Sequence, residues 1–149
     1  MKLKLLNAVM RLHESNIRNL HWNSAGEVFN DAHKEITTEY YELLSNNVDK
    51  TAELLAMFGI NAPNYIEVIQ TIKEAGTEYM LVNSNKLYNR AEIIKIMDDI
   101  FNDIIIILTD ILEDEEMQQT ENAGVKSELE TMLFTFDFQR RYINRRRSM

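Results

Sequence analysis

The chain has 149 residues, of which 45% are hydrophobic, and this size suits one buried core, so we expect residues 1–149 to form a single domain. It contains no cysteine, which excludes a disulfide framework and a thiolate metal site and leaves histidine, carboxylate and water as metal ligands. The formal net charge of −8 disfavours nonspecific nucleic-acid binding by the protein as a whole.

The composition predicts helices. One proline and four glycines supply little of the turn chemistry that β folds need, so we expect an all-α protein. Polar residues soon interrupt the apolar residues that follow Met1, so no signal-peptide core forms, and the apolar run from Ile104 to Leu108 is far too short to span a bilayer. We therefore expect a soluble, cytoplasmic protein.

The first two predicted helices follow from apolar spacing. Steps of three and four residues place one apolar stripe on a helix that ends near Trp22, before a turn at residues 23–26. The stripe consists of Leu5, Val9, Leu12, Ile17 and Leu20. A second series keeps the helical period from Phe29 to Phe58, which is about thirty residues or roughly 45 Å of helix. Such a length is typical of a helical bundle.

The second half of the chain predicts two more long helices. Gly59 and Pro63 indicate a helix end followed by a loop, with a short helix over Tyr65–Glu74. A third long helix is predicted from Arg90 to Glu116, and a fourth begins after Gly124 and runs to the C-terminal arginines. These elements predict a four-helix bundle with a short extra helix in the crossover connection between the second and third long helices.

Four residues are candidate metal ligands. His21 and His33 lie on either side of a predicted turn, and by itself such a pair is more often structural. Asp49 and Glu53 stand four residues apart, so both carboxylates project from one face of a helix. Most such pairs are solvated surface, although they repel each other slightly unless a cation lies between them.

The residues around this set carry a family resemblance. They read Leu20-His21-Trp22-Asn23, then Gly26, Phe29 and His33, then Tyr41, then Asp49-Lys50-Thr51-Ala52-Glu53, then Gly59. This sequence resembles the Dps family of mini-ferritins, whose signature has His-Trp-Asn, a glycine and a phenylalanine before a second histidine, and Asp-x-x-Ala-Glu ahead of a helix-ending glycine. The resemblance covers nearly the whole chain and implies the ferritin-like bundle fold.

The resemblance also implies a function. It implies a ferroxidase site between two subunits, where His21 and His33 of one chain face Asp49 and Glu53 of its partner. Imidazole and carboxylate together suit iron, with zinc as a possible substitute, and such a site leaves coordination positions open. Peroxide or oxygen would oxidise the ferrous iron, and the subunits would form a shell of twelve copies. Trp22 would pack near the site, or alternatively would anchor the helix end in the core.

Two features depart from the resembled pattern. The family usually has an acidic residue four positions after the second histidine, where this chain has Thr37, a poorer ligand that we place beside the site. Asp49 follows His33 by sixteen residues, one more than in the family pattern. One extra residue rotates a helix by about 100°, and in a regular helix Lys34 would take the ligand's place. We therefore predict a π-bulge near Thr37 to Tyr40.

An acidic stretch covers the end of the third predicted helix and the residues just after it. Asp110, Glu113, Asp114 and Glu116 lie in a segment from 110 to 121 that has no basic residue. Such a run is usually a solvated helix end. In the resembled family this region lines three-fold pores, where negative charge would draw cations inward. The sequence leaves both interpretations open.

The C-terminus holds the dense basic cluster of the chain, which consists of Arg140, Arg141, Arg145, Arg146 and Arg147. Arginines in the last turns of a helix complement its dipole and need no partner. The same cluster could instead bind DNA phosphates, although the net charge favours the first interpretation. His13 has no carboxylate at a fixed spacing and is expected to be structural or exposed.

Three functional hypotheses remain. The first is a mini-ferritin that binds, oxidises and stores ferrous iron. The second is a shell of the same fold whose metal site has decayed and which coats DNA or acts by assembly alone, and Thr37 and the extra residue favour it. The third is an unrelated interaction bundle, which leaves the matching sequence around His21 and Asp49 unexplained.

Overall fold

The computed structural model describes residues 1–24, 37–83 and 85–147, without the side chains of residues 146 and 147. Within these residues the chain forms five α-helices, namely α1 (Leu3–Trp22), α2 (Thr38–Met57), α3 (Tyr65–Glu74), α4 (Arg90–Glu113) and α5 (Ala123–Arg147). None of the described helices combines the length and the apolarity that a bilayer-spanning segment requires.

Contacts at the start of α1 set the direction of its neighbours. The Asn7 amide donates to Thr51 Oγ1 near the end of α2, at 2.8 Å, and Lys2 pairs with Asp110 near the end of α4. Helix α1 is therefore antiparallel to both α2 and α4. Because α2 and α4 then run in the same direction, a long crossover must join them, as the sequence predicts.

The core joins the long helices through apolar and aromatic side chains. The Phe101 ring of α4 meets Tyr40 of α2 edge-on at a centroid distance of 5.0 Å and Phe136 of α5 at 5.9 Å. All three rings are buried, as are Leu6 and Ile17 of α1. The predicted four-helix bundle is confirmed.

The crossover is held by caps at both ends. Asn64 begins α3 and Asn89 begins α4, each in a reciprocal capping box with the glutamate three residues later. Gly59, with a φ of 71°, supplies the left-handed residue that ends the α2 segment. The Tyr88 amide donates to the Asn23 carbonyl at 2.8 Å, which ties the end of the crossover to the end of α1. The predicted bounds of α3 are confirmed.

The end of α4 differs from the prediction. The helix stops at Glu113 rather than at Glu116, because Asp114 is extended and its carboxylate accepts from the Glu116 amide. Two 3-10 turns follow, Glu115–Gln118 and Thr120–Asn122. Consecutive acidic side chains oppose the negative C-terminal end of a helix dipole, whereas the same residues favour the start of a new turn. Gly124 is inside α5 rather than before it.

The start of the second predicted helix is described only from Thr37 onward. Thr37 lies in a π-helical turn, and α2 is regular from Thr38. The π geometry agrees with the predicted bulge at Thr37, whereas residues 38–40, which the prediction included, are α-helical. The predicted beginning at Phe29 lies outside the described residues.

Candidate metal centre

His21 occupies the last turn of α1, where it faces the beginning of α2. Its Nδ1 atom lies 2.9 Å from Thr37 Oγ1 and 3.3 Å from Thr38 Oγ1. Thr37 is fully buried, while His21 and Thr38 are half-buried. A metal ion at this histidine would therefore be bound through Nε2, because Nδ1 faces the two hydroxyl groups.

An aromatic and a cationic side chain pack beside this histidine. The Tyr41 ring meets the His21 ring edge-on, with centroids 5.3 Å apart and planes at 74°. The Arg18 guanidinium lies 4.8 Å from the centroid of the Tyr41 ring and is paired with Glu14 at 3.0 Å. Such contacts restrict the rotamers of the imidazole and of the phenol ring. The orientation of His21 is thus set by side chains from both helices.

The core fixes the rotation of α2 after the π turn. Tyr40, Leu44, Thr51 and Leu55 are buried at helical spacing, so this stripe faces the bundle. Asp49 and Glu53 are exposed and share the opposite face. Because α2 is regular from Thr38 onward, the irregular turn at Thr37 does not alter the outward direction of the two carboxylates.

A single chain does not bring the predicted ligands together. His21 lies beside Tyr41, and Asp49 is eight residues farther along α2, about 12 Å at 1.5 Å per residue. Within the described residues, no three histidine, aspartate or glutamate side chains form a group that could hold a metal ion. His33, Gly26 and Phe29 lie outside those residues. Among the described residues, His21 therefore does not meet Asp49 or Glu53 of the same chain.

Trp22 does not anchor the core in the isolated chain. Its side chain is 65% exposed at the end of α1, next to His21 in sequence. The alternative that it is a helix-end core anchor is therefore wrong for the single chain. An exposed indole at a helix end remains compatible with packing against another subunit.

The acidic residues at the end of α4 and just after it have separate environments. Asp110 pairs with Lys2 at 2.8 Å, and this hydrogen bond and the charge of Asp110 raise the pKa of Lys2. Asp114 caps the following turn, whereas Glu113 and Glu116 are exposed. The segment itself contains no basic residue, but Lys2, which is distant in sequence, neutralises Asp110. Their role at a pore stays a prediction.

The C-terminal arginines are partly engaged within the chain. Arg140 binds Asp98 of α4 at 2.9 Å and Asn102 at 3.0 Å, and Arg141 binds Asp137 at 2.9 Å. Burial opposes the charge on Asp98, but hydrogen bonds from Arg140 and from Asn144 outweigh it and lower the pKa of that carboxyl.

The other three predicted DNA contacts remain untested. Arg145 is exposed, and the side chains of Arg146 and Arg147 lie outside the described residues. At least Arg140 therefore joins α4 to α5 rather than facing away from the protein.

His13 was predicted to be either structural or exposed, and the structure shows the first. It is fully buried, and its Nε2 lies 3.0 Å from Asp103 Oδ2. The Asn16 amide oxygen accepts from the Val82 amide, so its nitrogen is the atom that faces His13 Nδ1, at 3.2 Å. Nδ1 is then the acceptor and Nε2–H the donor to Asp103. This network ties the crossover to α1.

Sequence reasoning missed Thr38 and Arg18 and gave no role to Tyr41. Thr38 lies directly after the π-helical residue Thr37, and the sequence indicates that irregularity through the extra residue alone. Arg18 precedes His21 by three residues, so helical spacing places both on one face. Neither spacing nor composition shows that Tyr41 lies between them.

Comparisons with known proteins give a structural match. No protein-family model and no curated protein matches the sequence. The structure of CAIP from Helicobacter cinaedi superposes with a TM-score of 0.82 at 16% identity, over 97% of this chain and 95% of that one. Dps from Staphylococcus aureus gives 0.81 at 18% identity, over 99% and 93%.

A third match carries a chemical description. The Dps protein from Vibrio cholerae O1, described as a member of a broad superfamily of ferritin-like diiron-carboxylate proteins, gives a TM-score of 0.78 at 20% identity, over 95% of this chain and 84% of that one. The chain therefore has the ferritin-like fold of Dps proteins, which confirms the resemblance at the level of the fold.

Proposed function

We propose that this protein is a cytoplasmic mini-ferritin that binds ferrous iron at a site between two copies of the chain, oxidises it with peroxide or oxygen, and stores the product. The observation that carries the proposal is the pair of Asp49 and Glu53, one turn apart on the outward face of α2. Neither carboxylate is ion-paired with a side chain of the described residues. A divalent cation between them would relieve their mutual repulsion.

The donor set suits ferrous iron as the substrate. His21 and His33 supply neutral nitrogen, and Asp49 and Glu53 of the partner supply oxygen, with Glu53 the candidate for a shared or bridging ligand. Each ferrous ion loses one electron and each peroxide accepts two, so two iron ions are consumed for every peroxide reduced. The chain's residues hold the metal and leave positions open for the oxidant. Zinc would compete for the same ligands.

The surface next to Glu53 favours a second copy of the chain as the partner. Met57, one turn beyond Glu53, is 70% exposed, and Tyr65 and Ile66 at the start of α3 are 76% and 66% exposed. Apolar side chains clustered along one part of the chain suit burial in an interface. A pairing of α2 faces would bring Asp49 and Glu53 of one subunit toward another, and repetition would build a shell of twelve, with Glu113, Asp114 and Glu116 at its pores.

The test compares Glu53→Ala with wild type and with Glu42→Ala, a matched control because Glu42 is also exposed on α2. Ferrous iron is added without oxygen to metal-free protein, peroxide is injected, and ferric iron is followed by absorbance. We expect fast oxidation by wild type and by Glu42→Ala and loss of that phase in Glu53→Ala. Equal rates in all three proteins and in buffer would reject the ferroxidase.

A decayed shell is the second candidate, because Thr37 puts a neutral hydroxyl where the resembled pattern has an acid. In that case the protein would act by assembly, with no catalysed oxidation. A role in coating DNA is disfavoured by the pairing of Arg140 with Asp98 and of Arg141 with Asp137, which neutralises part of the basic cluster.

A further inference from the structure

The two hydroxyl groups beside His21 are placed to decide which of its ring nitrogens carries the proton. A neutral imidazole has one N–H and one lone pair, and only the nitrogen with the lone pair binds a metal. In metal sites the other nitrogen usually donates to an oxygen atom, which fixes the tautomer and the ring orientation. In this protein Thr37 and Thr38 offer that oxygen, at 2.9 and 3.3 Å from Nδ1.

The threonines elsewhere in this protein indicate the direction of the hydrogen bond. In α4 the Thr109 hydroxyl donates to the Ile105 carbonyl one turn earlier, at 2.8 Å. In α5 Thr131 and Thr135 donate in the same way, at 3.1 and 3.0 Å. The hydroxyl group of a helical threonine thus donates its hydrogen to a backbone carbonyl, and its oxygen lone pairs can accept from other donors. Thr37 and Thr38 are helical as well, and by the same chemistry their oxygen atoms would accept from Nδ1–H at the observed distances.

The π-helical turn explains how two adjacent residues reach one atom. In a regular α-helix consecutive side chains point about 100° apart, so neighbouring hydroxyls rarely converge. A π turn changes the local rotation at Thr37, and Tyr40, buried against Phe101, holds the following turn in place. At this turn both hydroxyl groups lie within hydrogen-bonding distance of one His21 nitrogen.

We infer that Thr37 and Thr38 are positioning residues that hold His21 as the Nδ1–H tautomer, with the Nε2 lone pair directed to ferrous iron. This inference rests on the proposed function for the metal, although the tautomer itself belongs to the metal-free protein. A hydroxyl pair holds the imidazole without adding charge, whereas a carboxylate at position 37 would itself attract a cation. The two threonines thus orient the His21 ring as an acidic partner would, but they add no negative charge beside it.

The first measurement is nitrogen NMR of the histidine rings in ¹⁵N-labelled, metal-free, full-length protein at about pH 8.5, well above the ordinary histidine pKa of about 6.5. The chain has three histidines, and His21→Gln identifies the His21 signals. We expect the Nδ1–H form in wild type and in a double variant with Thr37→Ser and Thr38→Ser. The double variant with Thr37→Val and Thr38→Val should lose it, while Thr135→Val on α5 should not.

The second measurement is Co²⁺ binding by calorimetry on the same proteins. Loss of an outer partner of a metal-bound histidine weakens metal binding by roughly 10–100-fold, so we expect that loss in the valine double variant and recovery in the serine double variant. If the substitution of the buried Thr37 prevents folding, the single variant Thr38→Val is measured instead, because Thr38 is half-exposed. Its weaker contact should give a smaller change in the same direction.

The outcomes separate the two proposals. If the valine variants retain the Nδ1–H form, or if wild type holds the Nε2–H form, the inference is wrong whatever the metal affinity. If Glu53→Ala binds Co²⁺ as tightly as wild type while the tautomer responds to the threonines, the proposed metal site is wrong and the positioning contact stands.

Discussion

At the scale of single residues, tertiary contacts decide which charged groups are available for function. Arg140 reads in the sequence as one of five basic residues at a helix end, yet it binds Asp98 of another helix. His13 reads as an isolated histidine, yet it is buried against Asp103. Helical spacing predicts neighbours on one helix only, so these partners, 42 and 90 residues away, could not be read from it.

The pairing of Asp98 predicts a pH dependence of stability. Its pKa is lowered below the ordinary 3.8, so its contribution is complete above that value and is lost as the pH falls through the folded pKa. Asp98→Asn keeps an acceptor for Arg140 but removes the charge and should lower the unfolding free energy by about 1 kcal/mol at pH 7. Urea unfolding should show this difference shrinking toward pH 3, whereas a constant difference would contradict it.

At the scale of elements, the sequence predicts the ends of a helix well where capping and turn residues mark them. Gly59, Pro63 and Asn64 precede α3 and mark where it begins. Both ends of α3, Tyr65 and Glu74, agree with the prediction. The end of α4 was predicted three residues too late, because apolar period alone does not report that Asp114 prefers to cap a new turn. The π turn at Thr37 was predictable only from comparison with a resembled pattern, since composition gives no sign of one extra residue.

The two capping boxes predict different effects on stability. Asn89→Ala removes the cap of α4, which carries much of the core, and should lower the global unfolding free energy by about 1 kcal/mol. Asn64→Ala removes the same type of cap from α3, in which Val68 is the buried residue, and should change global stability less. Chemical denaturation followed by circular dichroism measures both, and equal losses would show that α3 unfolds with the bundle.

At the scale of the whole molecule, the arrangement of candidate ligands predicts that assembly and metal binding are one property. His21 lies at the end of α1 beside Tyr41, whereas Asp49 and Glu53 lie farther along α2, so the proposed site needs residues from two chains. The bundle itself was predictable, because four apolar periods and one long connection specify it. The exposure of Trp22 and Met57 was not predictable from composition, because both are apolar and lie within two residues of the buried Leu20 and Leu55.

This dependence can be tested at the surface beside the site. Met57→Glu puts a charge on the exposed apolar side chain one turn beyond Glu53, and burying that charge between two copies is costly. We expect light scattering to give a multiple of the 17.5 kDa chain for wild type and a smaller mass for the variant, with Co²⁺ affinity falling in parallel. Leu81→Glu, at a similarly exposed position before α4, is the matched control. A variant that loses assembly yet keeps its Co²⁺ affinity would mean that each chain completes its own site, and the carboxylate ligands would then have to be sought in the same chain as His21 rather than across an interface.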